Sequence, residues 1–155
     1  MTKGRLLIVA HQPSENTRRL ASVACSAVAE LGLPSVAARL LKPAEAGANE
    51  VLESDGVLLG TTENFGYMAG ALKDFFERIY YPCLDHTRGR PYALWVRAGN
   101  DGQGARTSVE RIIQGLGWRA VQPPLILCGE WRDEFTGQVA ELSQTLAAGL
   151  DAGIY

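Results

Sequence analysis

The sequence has little excess charge, few cysteines and no long apolar run. Its 15 Lys and Arg residues nearly balance 17 Asp and Glu residues, and the formal net charge is -2. Binding to a nucleic-acid backbone needs a clustered basic surface, so nucleic acid is not an expected partner. The charge balance also differs from the acidic face that steers strongly acidic electron carriers. No segment approaches the roughly 20 apolar residues that span a bilayer, so no membrane association is predicted.

Metal-ligand patterns and targeting signals are scarce as well. Three cysteines and two histidines occur at no metal-like spacing, so no metal site is predicted. We expect Cys25 and Cys128 to be buried as small hydrophobic residues and Cys83 to be more exposed. The apolar run near the N-terminus, about five residues long, is too short for the core of a signal peptide. Together with reduced thiols, this favours a cytoplasmic protein.

Short apolar runs alternate with helical patterns along the chain. The run Leu6–Ala10 is continuous, as is typical of a strand buried on both faces. An apolar stripe at helical spacing follows it from Leu20 to Leu31. The alternation predicts one α/β domain, residues 1–155, with a five-stranded parallel sheet and helices on both faces. The predicted strands are Leu6–Ala10, Ser35–Leu41, Gly56–Gly60, Tyr92–Val96 and Ala120–Cys128, the last of them broken by Pro123 and Pro124.

The loop after the first strand favours a phosphate site. Ligands of open α/β sheets bind beyond the carboxyl ends of the strands. Ser14, Asn16 and Thr17 place hydroxyl and amide groups where the first helix begins. The free N–H groups and the dipole of a helix start attract anions. The alternative is that Ser14 is only an N-cap.

Two further loops have unusual compositions. After the third strand, Phe65, Tyr67 and Met68 are large apolar residues where loops normally face water, and Gly66 lies between the two aromatic rings. This pattern suits a flat heteroaromatic ring, or else it covers a helix end or an oligomer contact. The glycine-rich stretch Ala98–Gly104 follows the fourth strand and exposes backbone groups, although a plain turn has the same composition.

The stretch Thr61–Phe76 resembles the second flavin loop of the flavodoxin-like superfamily, particularly its NAD(P)H-dependent FMN reductase and quinone reductase branch. Asn16–Arg18 resembles the end of the phosphate loop, and Ala98–Gly104 resembles the third loop. The resemblance implies a three-layer sandwich with strand order 2-1-3-4-5, FMN as cofactor and NAD(P)H as co-substrate. It also implies a small acceptor, such as a quinone or free flavin, and a homodimer. Hydride passes directly to the flavin in this branch, so no catalytic side chain is expected.

The resemblance assigns three groups of residues to FMN. They are Ser14, Asn16 and Thr17 at the phosphate, Thr61, Asn64, Phe65, Gly66, Tyr67 and Met68 at the ring and ribityl chain, and Gly99, Asn100, Asp101 and Gly102 on the other side. Glu15 departs from the family, which commonly has glycine there, and a carboxylate repels phosphate unless it points outward. Two alternatives stay open: a one-electron carrier of the flavodoxin type, and a domain that has lost flavin or uses it structurally.

Overall fold

A parallel β-sheet forms the centre of the protein in the computed structural model, which describes residues 4–155. The strands are β1 (Gly4–Ala10), β2 (Val36–Leu41), β3 (Gly56–Asn64), β4 (Tyr67–Met68), β5 (Pro91–Ala98), β6 (Arg119–Ala120) and β7 (Leu125–Cys128). The order across the sheet is β2-β1-β3-β5, with β6 and β7 both pairing with β5 and β4 pairing only with β3. The predicted order 2-1-3-4-5 is therefore confirmed. The fourth predicted strand is β5, and the fifth is β6 together with β7, because the short strand β4 was not predicted.

Helices cover both faces of the sheet. They are α1 (Glu15–Glu30), α2 (Ala48–Glu53), α3 (Gly70–Cys83), α4 (Gln103–Leu116) and α5 (Glu134–Ala152), with a 3-10 turn at Pro43–Glu45. The side chains of β1 show why both faces are apolar: Leu6 and Ile8 pack with α1 and α5, whereas Leu7 and Val9 pack with α2, α3 and α4. None of the helices within residues 4–155 combines the length and apolar character needed to cross a bilayer.

The outer strand is divided in two, as predicted for the strand Ala120–Cys128 with its break at Pro123 and Pro124. β6 and β7 each pair in parallel with β5, and the segment between them contains Pro123 and Pro124. Proline has no N–H to donate to a neighbouring strand, so the pairing is interrupted at this point.

The prediction for two of the cysteines is wrong. Cys83 is buried at the end of α3, where its thiol donates to the Ala48 carbonyl oxygen at 3.9 Å and burial raises its pKa. Cys128 is exposed because it ends β7, the outer strand of the sheet that residues 4–155 form. Cys25 is half-buried. The apolar run before Cys128 made it resemble a core residue, but position at the sheet edge decides its exposure.

Candidate functional site

The three loops singled out in the sequence meet at the carboxyl edge of the sheet. β1, β3 and β5 are adjacent and parallel, so their ends lie side by side. The His11 N–H donates to the Gly60 carbonyl oxygen at 2.9 Å and joins the first loop to β3. The Gly129 N–H donates to the Ala98 carbonyl oxygen at 3.0 Å, which brings the β7–α5 loop to the same edge.

The first loop ends in a tight N-cap of α1. The Thr17 N–H donates to the Ser14 hydroxyl at 3.2 Å, and the Ser14 N–H donates to the Thr17 hydroxyl at 2.9 Å. Two of the helix-start donors are therefore satisfied locally. The N–H groups of Glu15 and Asn16 belong to the first turn, which has no partner for them within the helix. The loop thus contains an N-cap, as the alternative proposed, and also keeps donors at the positive end of α1.

The side chains around this helix start face different ways. Glu15 is exposed in the first turn of α1, where its charge favours the helix dipole, while Asn16 is half-buried. His11 is half-buried, and burial lowers its pKa, which favours the neutral imidazole. Arg19 forms an ion pair with Asp133 at 3.7 Å and lies over the Trp131 ring.

Trp131 has a packing role in the structure. Its ring stands edge-on to Phe135, with the centroids 5.6 Å apart, and its indole N–H donates to Asp133. Arg97 lies 5.1 Å from the Phe135 ring centroid and donates to the Leu127 carbonyl oxygen at 3.1 Å. Together with the Arg19 contacts, these contacts hold the β7–α5 loop against α1.

The second loop is a β-hairpin. β3 continues four residues beyond the predicted strand, turns at Phe65 and Gly66, and returns as β4, with Asn64 opposite Tyr67. Phe65 has φ 53° and Gly66 has φ 68°, so both central residues are left-handed, the pattern of a type I′ turn. Glycine adopts this conformation readily, but for phenylalanine it is uncommon.

The hairpin separates its side chains into two sets. Phe65, at 107% exposure, and Tyr67, at 42%, direct aromatic rings to solvent. Met68 is buried in the core, and Thr61 is buried with its hydroxyl accepting the Ala69 N–H at 3.0 Å. While these contacts hold, Thr61 and Met68 shape the hairpin from within, whereas the exposed Asn64, Phe65 and Tyr67 present side chains to a ligand.

The third loop leads directly into α4. Gly99, Asn100 and Asp101 are exposed, and the Asp101 carboxylate accepts the Gln103 N–H at 3.1 Å. Gly102 is buried with φ 72°, and a Cβ added to it would lie 2.7 Å from the Ile126 side chain. A larger residue would be both strained and obstructed at this position.

Two residues that sequence reasoning missed join the hairpin to α4. The Glu63 carboxylate accepts the Ala105 N–H at 3.1 Å, and the Ser108 hydroxyl accepts the Met68 N–H at 3.1 Å. The only sequence signal was a serine, Ser108, beside the apolar stripe of α4. Within residues 4–155, no group of His, Cys, Asp or Glu side chains is arranged to hold a metal ion.

Comparison with known proteins shows the fold. No protein-family model matches the chain, and no curated protein matches its sequence. An archaeal flavodoxin matches with TM-score 0.80 and 15% identity over 94% of this chain and 98% of its own. A cysteine-to-serine mutant of the flavodoxin from Pseudomonas aeruginosa matches with TM-score 0.77 and 18% identity over the same shares.

A larger protein also matches. Rubredoxin oxygen:oxidoreductase from Desulfovibrio gigas aligns with TM-score 0.80 and 13% identity over 99% of this chain but only 37% of its own length. This chain is therefore similar to one part of that protein. Together with the strand order and the helices on both faces, these matches show that the chain has the flavodoxin-like α/β fold.

Proposed function

We propose that the chain binds FMN at the carboxyl edge of its sheet and works as a flavin-dependent redox protein. The observation that carries this proposal is the fully exposed Phe65 ring. Phe65 lies at the tip of the hairpin that extends β3, and β3 pairs with β1, the strand that leads to the start of α1. An aromatic ring without protein contacts suits stacking against a flat heteroaromatic ring. A helix start with unpaired N–H groups suits a phosphate.

The chemistry of the available donors fits this cofactor. The N–H groups of Glu15 and Asn16 and the hydroxyl of Ser14 would hold the phosphate. Phe65 and Tyr67 would contact the ring system. Glu15 is exposed, so its carboxylate can extend into water and away from a bound anion. Bound FMN supplies the redox chemistry, and the protein supplies binding and orientation.

The third loop would close the opposite side of the ring. Gly99 and Asn100 are exposed directly after β5 and leave their backbone accessible. Thr17, Thr61, Met68 and Gly102 are buried, so they support the three loops from below. The thirteen positions assigned through the resemblance therefore divide between those that would touch the ligand and those that would shape the loops.

We further propose that NAD(P)H is the co-substrate and that hydride passes by way of the flavin to a quinone, free flavin or similar small acceptor. Acidic and basic side chains alternate around the first loop and the β7–α5 loop, as Glu15, Arg19, Arg132 and Asp133 show. This differs from a uniformly acidic docking face for a protein partner. The exposed aromatic rings leave an apolar surface that a small planar molecule can approach.

A one-electron carrier is the second candidate. The observation that favours it is the similarity to two solved flavodoxins over nearly their whole length. Both candidates use FMN at the same loops, and they differ in the electron donor and in the number of electrons passed at a time.

We also propose a homodimer in the cytoplasm. An exposed aromatic pair such as Phe65 and Tyr67 is suited to burial against a second copy.

The deciding experiment is a pair of titrations on the purified protein. Flavin fluorescence should show FMN binding at about one per chain and more tightly than riboflavin, because riboflavin lacks the phosphate. Equal affinities would make the phosphate assignment wrong, and no binding would leave only the alternative of a domain without flavin.

Anaerobic addition of NADH or NADPH to the FMN-loaded protein then separates the two redox candidates. Direct bleaching in one spectral step supports the reductase. No reduction by either nicotinamide, together with two separate one-electron steps under dithionite, supports the carrier.

A further inference from the structure

We propose that α4 holds the β3–β4 hairpin in the shape it needs for the ligand, and that Glu63, Gly104 and Ser108 are positioning residues. The flavin part of this inference rests on the proposed function, whereas the attachment of the hairpin to α4 does not. Three independent contacts between the hairpin and the first turns of α4 carry it.

The first contact is made by Glu63. Its carboxylate accepts the Ala105 N–H at 3.1 Å, one of the donors that a helix start leaves unpaired. The N-cap of α4 is Gly102, which has no side chain to serve this purpose. The hairpin thus supplies a cap from 42 residues away, and its negative charge lies at the positive end of the helix dipole.

The second contact is made by Ser108. Its hydroxyl accepts the Met68 N–H at 3.1 Å and donates to the Ala105 carbonyl oxygen at 2.8 Å. Both Met68 and Ser108 are buried. The returning strand of the hairpin is therefore attached to α4 through a hydrogen bond that water cannot readily replace.

The third contact is the close approach of Gly104 to the turn. A Cβ added to Gly104 would overlap the carbonyl oxygen of Gly66. The turn that displays Phe65 therefore rests directly on the first turn of α4, and only glycine permits this distance.

These contacts make the second and third loops one unit. An isolated two-stranded hairpin is marginally stable in water, so a tip such as Phe65–Gly66 needs support from elsewhere. α4 begins at the third loop and also supports the hairpin, so both loops share one rigid element. A loop fixed before binding loses less conformational entropy when a ligand arrives, which raises affinity.

The test compares Ser108→Ala with Ser143→Ala. Ser143 is also a buried helical serine, and its hydroxyl donates to a carbonyl three residues back, that of Ala140, at 3.0 Å. It lies on α5 and accepts no hairpin N–H, so the two variants differ in the contact with Met68.

The first measurement is amide hydrogen exchange of Met68 in the flavin-free protein. We expect exchange to accelerate about tenfold in Ser108→Ala and to stay unchanged in Ser143→Ala, because only the former leaves a buried donor unpaired. Equal exchange in the two variants would overturn the attachment to α4, whether or not the protein binds flavin.

The second measurement is the Kd for FMN. We expect Ser108→Ala to raise it about tenfold relative to Ser143→Ala. Faster exchange with an unchanged Kd would overturn the positioning role while leaving the proposed function intact. Absence of FMN binding by the unchanged protein would overturn the proposed function and the flavin role, while the exchange result would still decide the attachment.

A second pair of variants tests the contact between α4 and the hairpin independently, in case Ser108→Ala does not fold. Gly104→Ala should displace the hairpin and raise the Kd for FMN about tenfold. Gly137→Ala is its control, because Gly137 lies near the start of α5 with nothing near its added Cβ. Equal FMN affinities of these two variants would contradict the role of Gly104.

Discussion

The first and second loops lie side by side but are held in opposite ways. Ser14 and Thr17 fix the first loop through contacts between residues three apart in the chain. The hairpin is fixed by Ala105 and Ser108, which are 42 and 40 residues from their partners. The cap of the first loop therefore depends on its own helix, whereas the hairpin depends on contacts with α4. The cap at the first loop is a local contact, whereas the contacts between the hairpin and α4 are distant in sequence.

The largest effect is expected at the tip of the hairpin. Gly66→Val should abolish FMN binding and reduce the free energy of unfolding by about 1–3 kcal/mol, because a β-branched residue resists positive φ. A Cβ added to Gly66 would meet no protein atom within 4 Å, so it would obstruct only a ligand bound at the hairpin tip. Fluorescence titration with FMN and urea unfolding measure the two effects, and circular dichroism checks that the fold remains.

The control variant Gly153→Val separates the effect of backbone strain on stability from the effect of Gly66→Val on FMN binding. Gly153 has φ 69° against 68° at Gly66, also with nothing near an added Cβ, and it lies beyond the end of α5. We expect a similar loss of stability with unchanged FMN affinity. If Gly66→Val retained full flavin binding, the hairpin tip would not be part of the site.

A smaller effect is expected at the first loop. Ser14→Ala removes the acceptor for the Thr17 N–H and should reduce the free energy of unfolding by about 1 kcal/mol. It should also weaken FMN binding more than riboflavin binding, because the change lies at the proposed phosphate site. Urea unfolding and parallel titrations with the two flavins measure this. Equal weakening of both flavins would restrict Ser14 to its capping role.

The contrast between the two loops also explains what could be predicted from the sequence. The parallel sheet with helices on both faces followed from the alternation of apolar runs and helical stripes, and the N-cap at Ser14 followed from its position before a helix. Both depend on patterns within a few residues. The hairpin could not be predicted from the sequence, because its strand residues Thr61–Asn64 are polar or small and its turn has Phe65 where Asn or Asp is usual.

Long-range contacts account for the remaining differences. The link between Glu63 and Ala105 cannot be predicted without knowing that α4 begins beside β3. The exposure of Cys128 and the burial of Cys83 depend on which strand lies at the edge and which helix end is covered. Which residues touch a ligand stays a prediction, since the structure fixes their places and not their partner.

The smallest effect is expected from the pH response of the first loop. Burial lowers the pKa of His11 from its usual value of 6.5, so the folded protein binds fewer protons than the unfolded chain as the pH falls through this range. The resulting stability is present in full above pH 6.5 and is lost as the pH falls through the folded pKa. The effect is modest because the imidazole is only half-buried and remains in contact with water.

Urea unfolding at about pH 7.5 and about pH 5.5 should show a larger loss of stability at the lower pH for the unchanged protein than for His11→Asn. His86→Asn, at an exposed position, serves as the control and should keep the full loss. If His11→Asn lost as much stability as the unchanged protein, the His11 imidazole would have the same pKa in the folded and the unfolded chain. The first loop would then owe its stability to the Ser14 cap, without a contribution from His11.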